Sequence, residues 1–318
     1  MQSTEISLNH IRRGRKSNGR YSFERMEASE IIFRILSYLL ATVFALFCLY
    51  PLIYCISSAF SGRVAVDAGD IILFPIDVQF DAFMTVVNDP SFWPAYCNTF
   101  FITFFGTIYC MLVSILGGYA LSKKNLFGNK TLNFLVVFTM WFTAGMVPVF
   151  QNYLATMNAF KAIGITDEKW MIVISMGMNA FNILLLRNAF EMVPKEIEEA
   201  ALVDGATDFQ IMWKVYVPMS KATIATVALF YAISRWNGYF WASRVISNDL
   251  YKPLQVVIQE RITLLSETVN NGAINLGTYS EQSVIYSMVV AAIIPIILIY
   301  PFIQKYFAAG VNLGGVKE

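Results

Sequence analysis

Six long apolar segments constrain this chain more than any other feature of its sequence. They cover residues 35–56, 98–121, 132–153, 171–186, 222–241 and 283–302. All but the fourth reach the ~20 residues that a helix needs to cross the hydrocarbon core of a bilayer. The chain is also 57% hydrophobic and only 14% charged, whereas a soluble domain carries about 25% charged residues. We therefore predict an all-α, polytopic membrane protein with six transmembrane helices, the first of which is too long for a cleaved signal peptide.

The positive charges predict how these helices are oriented. With six spans, both termini lie on one side together with residues 122–131 and 187–221, and these segments hold 16 of the 23 Lys and Arg residues. The opposite segments hold six, and one lies inside a span. Because basic loops stay in the cytoplasm, both termini are predicted to be cytoplasmic, as in a bacterial plasma-membrane protein. The predicted parts are a basic N-terminus (1–30) and a transmembrane domain (31–318) with an outer loop (244–282) and a cytoplasmic tail (303–318).

The sequence carries few groups suited to catalysis or metal binding. His10 is the only histidine, and the four cysteines lack metal-site spacing. We expect no metal, no cofactor and no nucleic-acid partner, and a chain that is not itself an enzyme. The predicted spans contain no Asp or Glu, which argues against a proton- or sodium-coupled carrier. No GxxxxGK[ST] phosphate loop occurs, so the energy for transport must come from another polypeptide.

Residues 191–221 are more polar than a simple connection between two spans requires. Pro194 and three following glutamates favour a helix start, and Gly205 can adopt the positive φ that ends a helix. Thr207 and Gln210 have the spacing of a capping box for a second short helix. Pro218 prevents that helix from continuing smoothly into the fifth span. An amphipathic helix lying on the membrane surface is the alternative interpretation.

The same segment resembles the coupling motif of ABC-importer permeases. Its residues are Glu199, Ala200 and Ala201, then Gly205, and finally Val215, Val217 and Pro218. The chain is therefore similar to the carbohydrate-uptake (maltose-type, smaller subunit) permease family, whose fold is a MetI-like importer core. Residues 252–255 and the Gly-containing end, 310–317, resemble the corresponding family segments, which contact the binding protein and the ATPase respectively.

The resemblance implies partners and a role for each motif residue. The implied partners are a second permease subunit in a heterodimer, a cytoplasmic ATPase dimer that binds ATP-Mg, an extracytoplasmic solute-binding protein and membrane lipid. Glu199 would pair with a basic group on the ATPase, and Ala200 and Ala201 would allow close approach, with Asp204 on the same helical face. Gly205 would set the angle between two coupling helices, and Pro218 would separate them from the fifth span.

A second polar cluster lies inside the predicted spans. Arg235, Trp236 and Asn237 are in the fifth span, and an intramembrane charge is a functional hypothesis by default. By resemblance, Trp236 would stack on a sugar and Asn237 would hydrogen-bond a hydroxyl, while the alternative is that Arg235 reaches up to the membrane interface. Asn179 and Asn182 in the fourth span would face the same path or form interhelical hydrogen bonds.

The function predicted from these observations is a permease subunit of an ATP-driven importer for an oligosaccharide or related carbohydrate. A permease for a non-carbohydrate solute, an ATP-independent carrier and a membrane scaffold remain as alternatives.

Overall fold

The computed structural model describes residues 28–175, 177–270 and 279–311, and these are helical with no strand. Most of the predicted N-terminal segment and the end of the tail, 312–318, lie outside the described residues. The chain divides into two compact units, residues 1–53 and 54–318. The described part of the first unit belongs to α1 (Ala28–Ala59), a 32-residue helix that contains the first predicted span.

The second unit contains fourteen further α-helices within the described residues. They are α2 (Arg63–Ala68), α3 (Asp81–Val87), α4 (Phe92–Ser122), α5 (Asn129–Trp141), α6 (Met146–Ala162), α7 (Lys169–Ser175), α8 (Ala180–Glu191), α9 (Lys195–Val203), α10 (Asp208–Ile211), α11 (Val217–Met219), α12 (Lys221–Trp236), α13 (Tyr239–Val245), α14 (Leu254–Asn270) and α15 (Glu281–Val311). A π-helical turn (Met212–Tyr216) joins α10 to α11.

The six predicted spans are present, but not all as single helices. Within the described residues, α1, α4 and α15 are each long and apolar enough to cross a membrane alone. Two further spans are bent pairs, α5 with α6 at 113° and α7 with α8 at 52°, and α12 forms most of the fifth span after a bend of 87° from the helix that ends at Met219. The predicted spans 132–153 and 171–186 are therefore each bent, a feature that was not predicted from the sequence. The chain breaks where Gly145 and Gly177 adopt positive φ values of 81° and 64°.

Two predicted loops are more ordered than expected. The outer loop 244–282 contains α14, whose side chains at Leu254 and Val256 are fully buried. Helix α15, which contains the sixth predicted span, continues to Val311 and so into the predicted tail. Helix α14 forms outside the apolar stretches because it packs against α4 and α15, and such packing stabilises a helix without lipid.

Helix α4 is central to the second unit, where it packs against α7, α8, α12 and α14. Its close approach to α8 depends on Gly118, where an added Cβ would lie 3.0 Å from the Leu186 Cβ and 3.1 Å from the Arg187 nitrogen. At the neighbouring Gly117 the nearest atom would be 3.7 Å away, an ordinary contact. Of this glycine pair, Gly118 is therefore the one that close helix packing requires.

Candidate coupling segment and membrane cavity

The coupling segment, residues 191–221, forms the helix–turn–helix that its local signals predict. Pro194 occupies the N-cap of α9, and the helix ends in a Schellman motif around Gly205, whose φ is 79°. There the amide of Gly205 donates to the carbonyl of Leu202 at 3.0 Å, and that of Ala206 donates to Ala201 at 3.0 Å. Local capping chemistry therefore fixes the turn between the two helices.

The second helix of the segment begins with the predicted capping box. The Thr207 amide donates to the Gln210 side chain at 3.0 Å, and the Gln210 amide donates to the Thr207 hydroxyl at 3.4 Å. A π-helical turn precedes Pro218, with the Val217 amide bonded to the carbonyl of Met212. The helix then ends at Met219, and α12 leaves at 87°. The expected break is present, but it follows Met219 and does not fall at the proline itself.

The motif residues divide between two sides of the segment. Glu199, Ala200 and Asp204 are exposed. Ala201 is half-buried and packs on the core beneath, so its side chain serves the fold of this chain. We define the coupling surface by its exposed members, which include three large apolar side chains. Its residues are Glu199, Ala200, Leu202, Val203, Asp204 and Phe209.

On its inner side, α9 is held against the end of α4 by a cluster of Glu198, Lys123 and Tyr216, which we call the anchor. Glu198 forms an ion pair with Lys123, and the Tyr216 hydroxyl donates a second hydrogen bond to the same carboxylate. The Lys123 ammonium also lies 4.3 Å from the centre of the Tyr216 ring and 4.6 Å from that of Tyr119. Partial burial tends to raise the pKa of Glu198, but the bonds from Lys123 and Tyr216 outweigh it, so the pKa lies below the ordinary carboxyl value. This anchor was not predicted because its members are distant in sequence.

The second helix of the segment is part of the membrane-domain core. Ile211, Met212 and Tyr216 are buried in one cluster with residues of α4, α8 and α12, among them Leu186 and Tyr231. The second helix of the segment is therefore packed rigidly against three membrane helices, because well-packed cores resist deformation.

A polar cavity of about 380 Å³ lies between α8 and α12 near the break of the fourth span. Three of the five predicted path residues, Arg235, Asn179 and Asn182, line it. Tyr231 also lines it and is bonded through its hydroxyl to Ser114 at 2.7 Å. The structure thus brings together residues from two predicted spans around one space.

Arg235 points into the protein and does not reach the membrane interface, since only 4% of its surface is exposed. Its Nη1 donates to the carbonyl of Ile172 at 3.1 Å, and its Nη2 contacts the carbonyl of Gly177 at 3.4 Å and the Cys110 sulfur at 2.9 Å. The carbonyls belong to the end of α7 and the break that follows it. Arg235 therefore stabilises the carboxyl end of a short helix, where a cation is favoured.

The other predicted path residues have local roles. The side-chain oxygen of Asn179 caps α8 by accepting from the amides of Phe181 and Asn182, and its backbone amide donates to the Tyr231 hydroxyl of α12 at 3.1 Å. Trp236 is buried edge-on against Phe100 and Tyr96, outside the cavity. Asn237 ends α12 as its C-cap.

A second cavity of about 380 Å³ was not predicted from the sequence. It is lined by Asn152, Tyr153, Ser175 and Trp241, with the Tyr153 and Trp241 rings stacked at 5.2 Å. The Ser175 hydroxyl is buried and has no hydrogen-bond partner among the described residues. The described part of the chain holds no cluster of His, Cys, Asp and Glu able to bind a metal ion.

These features define a class: a helical transport protein of the membrane, with broken spans around polar cavities and an anchored surface helix outside them. Residues 26–313 match the model of the family described as "Binding-protein-dependent transport system inner membrane component". The chain belongs to that family. It is a multi-pass transport subunit of the inner membrane, with no catalytic function known for its family.

Known relatives share nearly the whole length of the chain. The polygalacturonan/rhamnogalacturonan transport system permease protein YtcP of Bacillus subtilis is 35% identical over 90% of this chain and 98% of its own. Protein LplC of the same organism is 34% identical over 84% and 88%. A crystal structure of a bacterial ABC transporter involved in the import of the acidic polysaccharide alginate contains a chain that is 40% identical. It covers 89% of this chain and 99% of its own, with a TM-score of 0.76.

Proposed function

We propose that this protein is a permease subunit of an ATP-driven importer that carries an oligosaccharide or related carbohydrate. The observation that carries the proposal is the coupling segment, which presents Glu199 and Ala200 outward while Glu198 and Tyr216 anchor it to the membrane helices. Relatives named for polysaccharide transport support the carbohydrate assignment.

The proposed partners follow from this arrangement. A cytoplasmic ATPase dimer would bind the coupling surface and supply ATP-Mg, because the sequence has no phosphate loop of its own. A second permease would complete the membrane part as a heterodimer. An extracytoplasmic binding protein would deliver the carbohydrate, in keeping with the description of the family.

Each coupling residue has a proposed role in the complex with the ATPase. Glu199 pairs with a basic side chain of the ATPase, and Asp204 adds a second exposed carboxylate. Ala200 permits close approach because it has almost no side chain. Gly205 sets the angle between the two helices, and the break after Pro218 lets them tilt separately from α12.

The test is to purify the chain with an N-terminal tag, in mild detergent, from its native membrane and to identify its partners by mass spectrometry. We expect a second permease, an ATPase and a solute-binding protein. Glu199→Ala should reduce the ATPase recovered at least about tenfold, because a charged pair at a protein interface contributes several kcal/mol. The control Asp70→Ala removes an exposed carboxylate beyond α2 and should leave recovery unchanged. A chain that purifies alone, even when ATP hydrolysis is blocked, would refute the proposal.

The proposed orientation places the coupling segment and both termini in the cytoplasm. Val203 and Val64 give a matched pair for testing it, since they are 88% and 82% exposed. In intact cells a membrane-impermeant thiol reagent should label Val64→Cys above the background of the parent chain and leave Val203→Cys unlabelled. The reverse pattern would invert the topology.

A further inference from the structure

We propose that the cavity at Arg235 is a subsite for a carboxylate-bearing sugar unit, such as a uronate, on the translocation path. The inference rests on the proposed carbohydrate function and narrows it to acidic saccharides. Arg235 is buried within the fifth predicted span, where an unpaired charge is energetically unfavourable.

The charge of Arg235 is not balanced by the residues around it. Among the described residues no carboxylate forms an ion pair with it, and its hydrogen bonds go to two carbonyls and one sulfur. Those contacts use at most three of the five N–H donors of a guanidinium group. The carboxyl end of the short helix α7 offsets only part of this charge, since a helix terminus carries at most about half an elementary charge.

Two asparagines add unused donors to the same cavity. Asn182 is 4% exposed, and its side-chain amide has no hydrogen-bond partner among the described residues. The Asn179 oxygen is already used in capping α8, which leaves its amide nitrogen as a donor. Both amides face the cavity beside a buried cation, so together these groups suit a ligand rich in hydrogen-bond acceptors.

The size of the cavity suits a sugar. A volume of about 380 Å³ lies within the ~300–1,000 Å³ typical of small-molecule sites. It fits one or two sugar rings at a time, as a chain passed along a path requires. A donor that remains on the Arg235 guanidinium group can form a charge-assisted hydrogen bond to a carboxylate, which is about twice as strong as a bond to a neutral sugar oxygen. The cavity therefore favours an acidic sugar over its neutral counterpart.

The test compares three probes: trigalacturonate, its methyl ester and maltotriose. Binding is measured by thermal shift on the purified full chain with the membrane and ATPase subunits that accompany it. The binding protein is left out because it would hold the sugar itself. We expect the acidic trimer to bind at least about tenfold more tightly than its ester. The absence of that preference, or no binding of any probe at 10 mM, would overturn the inference.

Three variants test whether Arg235 causes the preference for the acidic trimer over its ester. Arg235→Gln should abolish the preference for acid over ester, while Arg235→Lys should keep part of it because the charge remains. Arg244→Gln removes an exposed arginine nine residues away and should change nothing. Preference retained in Arg235→Gln, or lost in Arg244→Gln, would place the acidic sugar elsewhere.

A second variant keeps the subsite testable, and the capture of the ATPase separates this inference from the proposed function. If Arg235→Gln fails to fold, Asn182→Ala provides the test, since it leaves the bonds of Arg235 intact. Asn182→Ala should weaken acid and ester equally, by several-fold, and unchanged affinity for both would overturn the subsite. If the chain purifies without an ATPase, the thermal shift is measured on the chain alone, and an acid preference there would support the subsite and refute the importer assignment.

Discussion

Lys123 and Glu198, 75 residues apart in the chain, form an ion pair that joins the end of α4 to the first turns of α9. Tyr216 completes the contact from the second helix of the coupling segment. The pair is partly buried, with about a fifth of each side chain exposed, so it is less screened than a surface pair. We infer that α4 and the coupling segment move together.

Removing the charge of Glu198 should loosen this connection. We expect Glu198→Gln to lower the free energy of unfolding by about 1–2 kcal/mol, since a partly buried, charge-assisted contact is lost. The matched control is Glu191→Gln, which breaks the ion pair of Arg187 within one helix and should cost less than ~0.5 kcal/mol. Thermal unfolding of both variants in the same detergent measures the difference. Equal effects would mean that the anchor contributes no more than a surface pair.

The contribution of Glu198 should also depend on pH. Its pKa in the folded protein is below the ordinary value of 4.5 because Lys123 and Tyr216 favour the charged form. Its stabilisation is therefore present above about pH 4.5 and is lost as the pH falls through the lower folded pKa. The melting temperatures of the wild-type protein and Glu198→Gln should differ at pH 7 and converge in acid. A difference that grows on acidification would contradict the assigned shift.

Gly118 and Gly117 should respond differently to a methyl group. Gly118→Ala forces α4 away from α8, where backbone atoms lie within 3.1 Å and 3.3 Å of the new carbon. We expect a cost of about 1–3 kcal/mol, typical of overpacking. Gly117→Ala meets nothing closer than 3.7 Å and should be neutral or stabilising, since alanine favours the helix. Melting temperatures of the two variants decide this, and a larger loss at Gly117 would be inconsistent with the packing.

Gly205 should tolerate asparagine better than alanine. No atom lies within 4 Å of a Cβ added there, so the only penalty comes from its φ of 79°. We expect Gly205→Ala to cost about 1 kcal/mol and Gly205→Asn less, because asparagine enters the left-handed region more readily. Amide exchange in α9, which reports local opening, should rise more for alanine than for asparagine. The same ranking for ATPase capture would tie the turn to coupling.

Local sequence signals were sufficient to predict the turn between the two helices of the coupling segment. Gly205, Thr207 and Gln210 satisfy groups within a few residues of themselves, so their spacing alone determines their partners. The bond between Glu198 and Lys123 and the bonds of Arg235 to the α7 end depend on how distant helices pack. No spacing rule reveals such contacts.

The broken spans were missed for a related reason. Hydropathy averages over a window, and a window that contains Gly145 or Gly177 is still apolar enough to cross a membrane. The averaging hides a single residue with positive φ. The break in the fourth span does have a sequence signal. Asn179 precedes a helix, and asparagine is a preferred N-cap residue, but the apolar residues around it concealed this signal.

In the proposed complex, the 87° angle after Met219 would limit the motion that a bound ATPase could produce. Force applied along a helix axis has almost no component along a second helix set at a right angle to it. A displacement of the coupling segment would therefore tilt or rotate α12 and would not push it along its own axis through the bilayer. The far end of α12 carries Arg235, and a rotation would swing that guanidinium group into or away from the path.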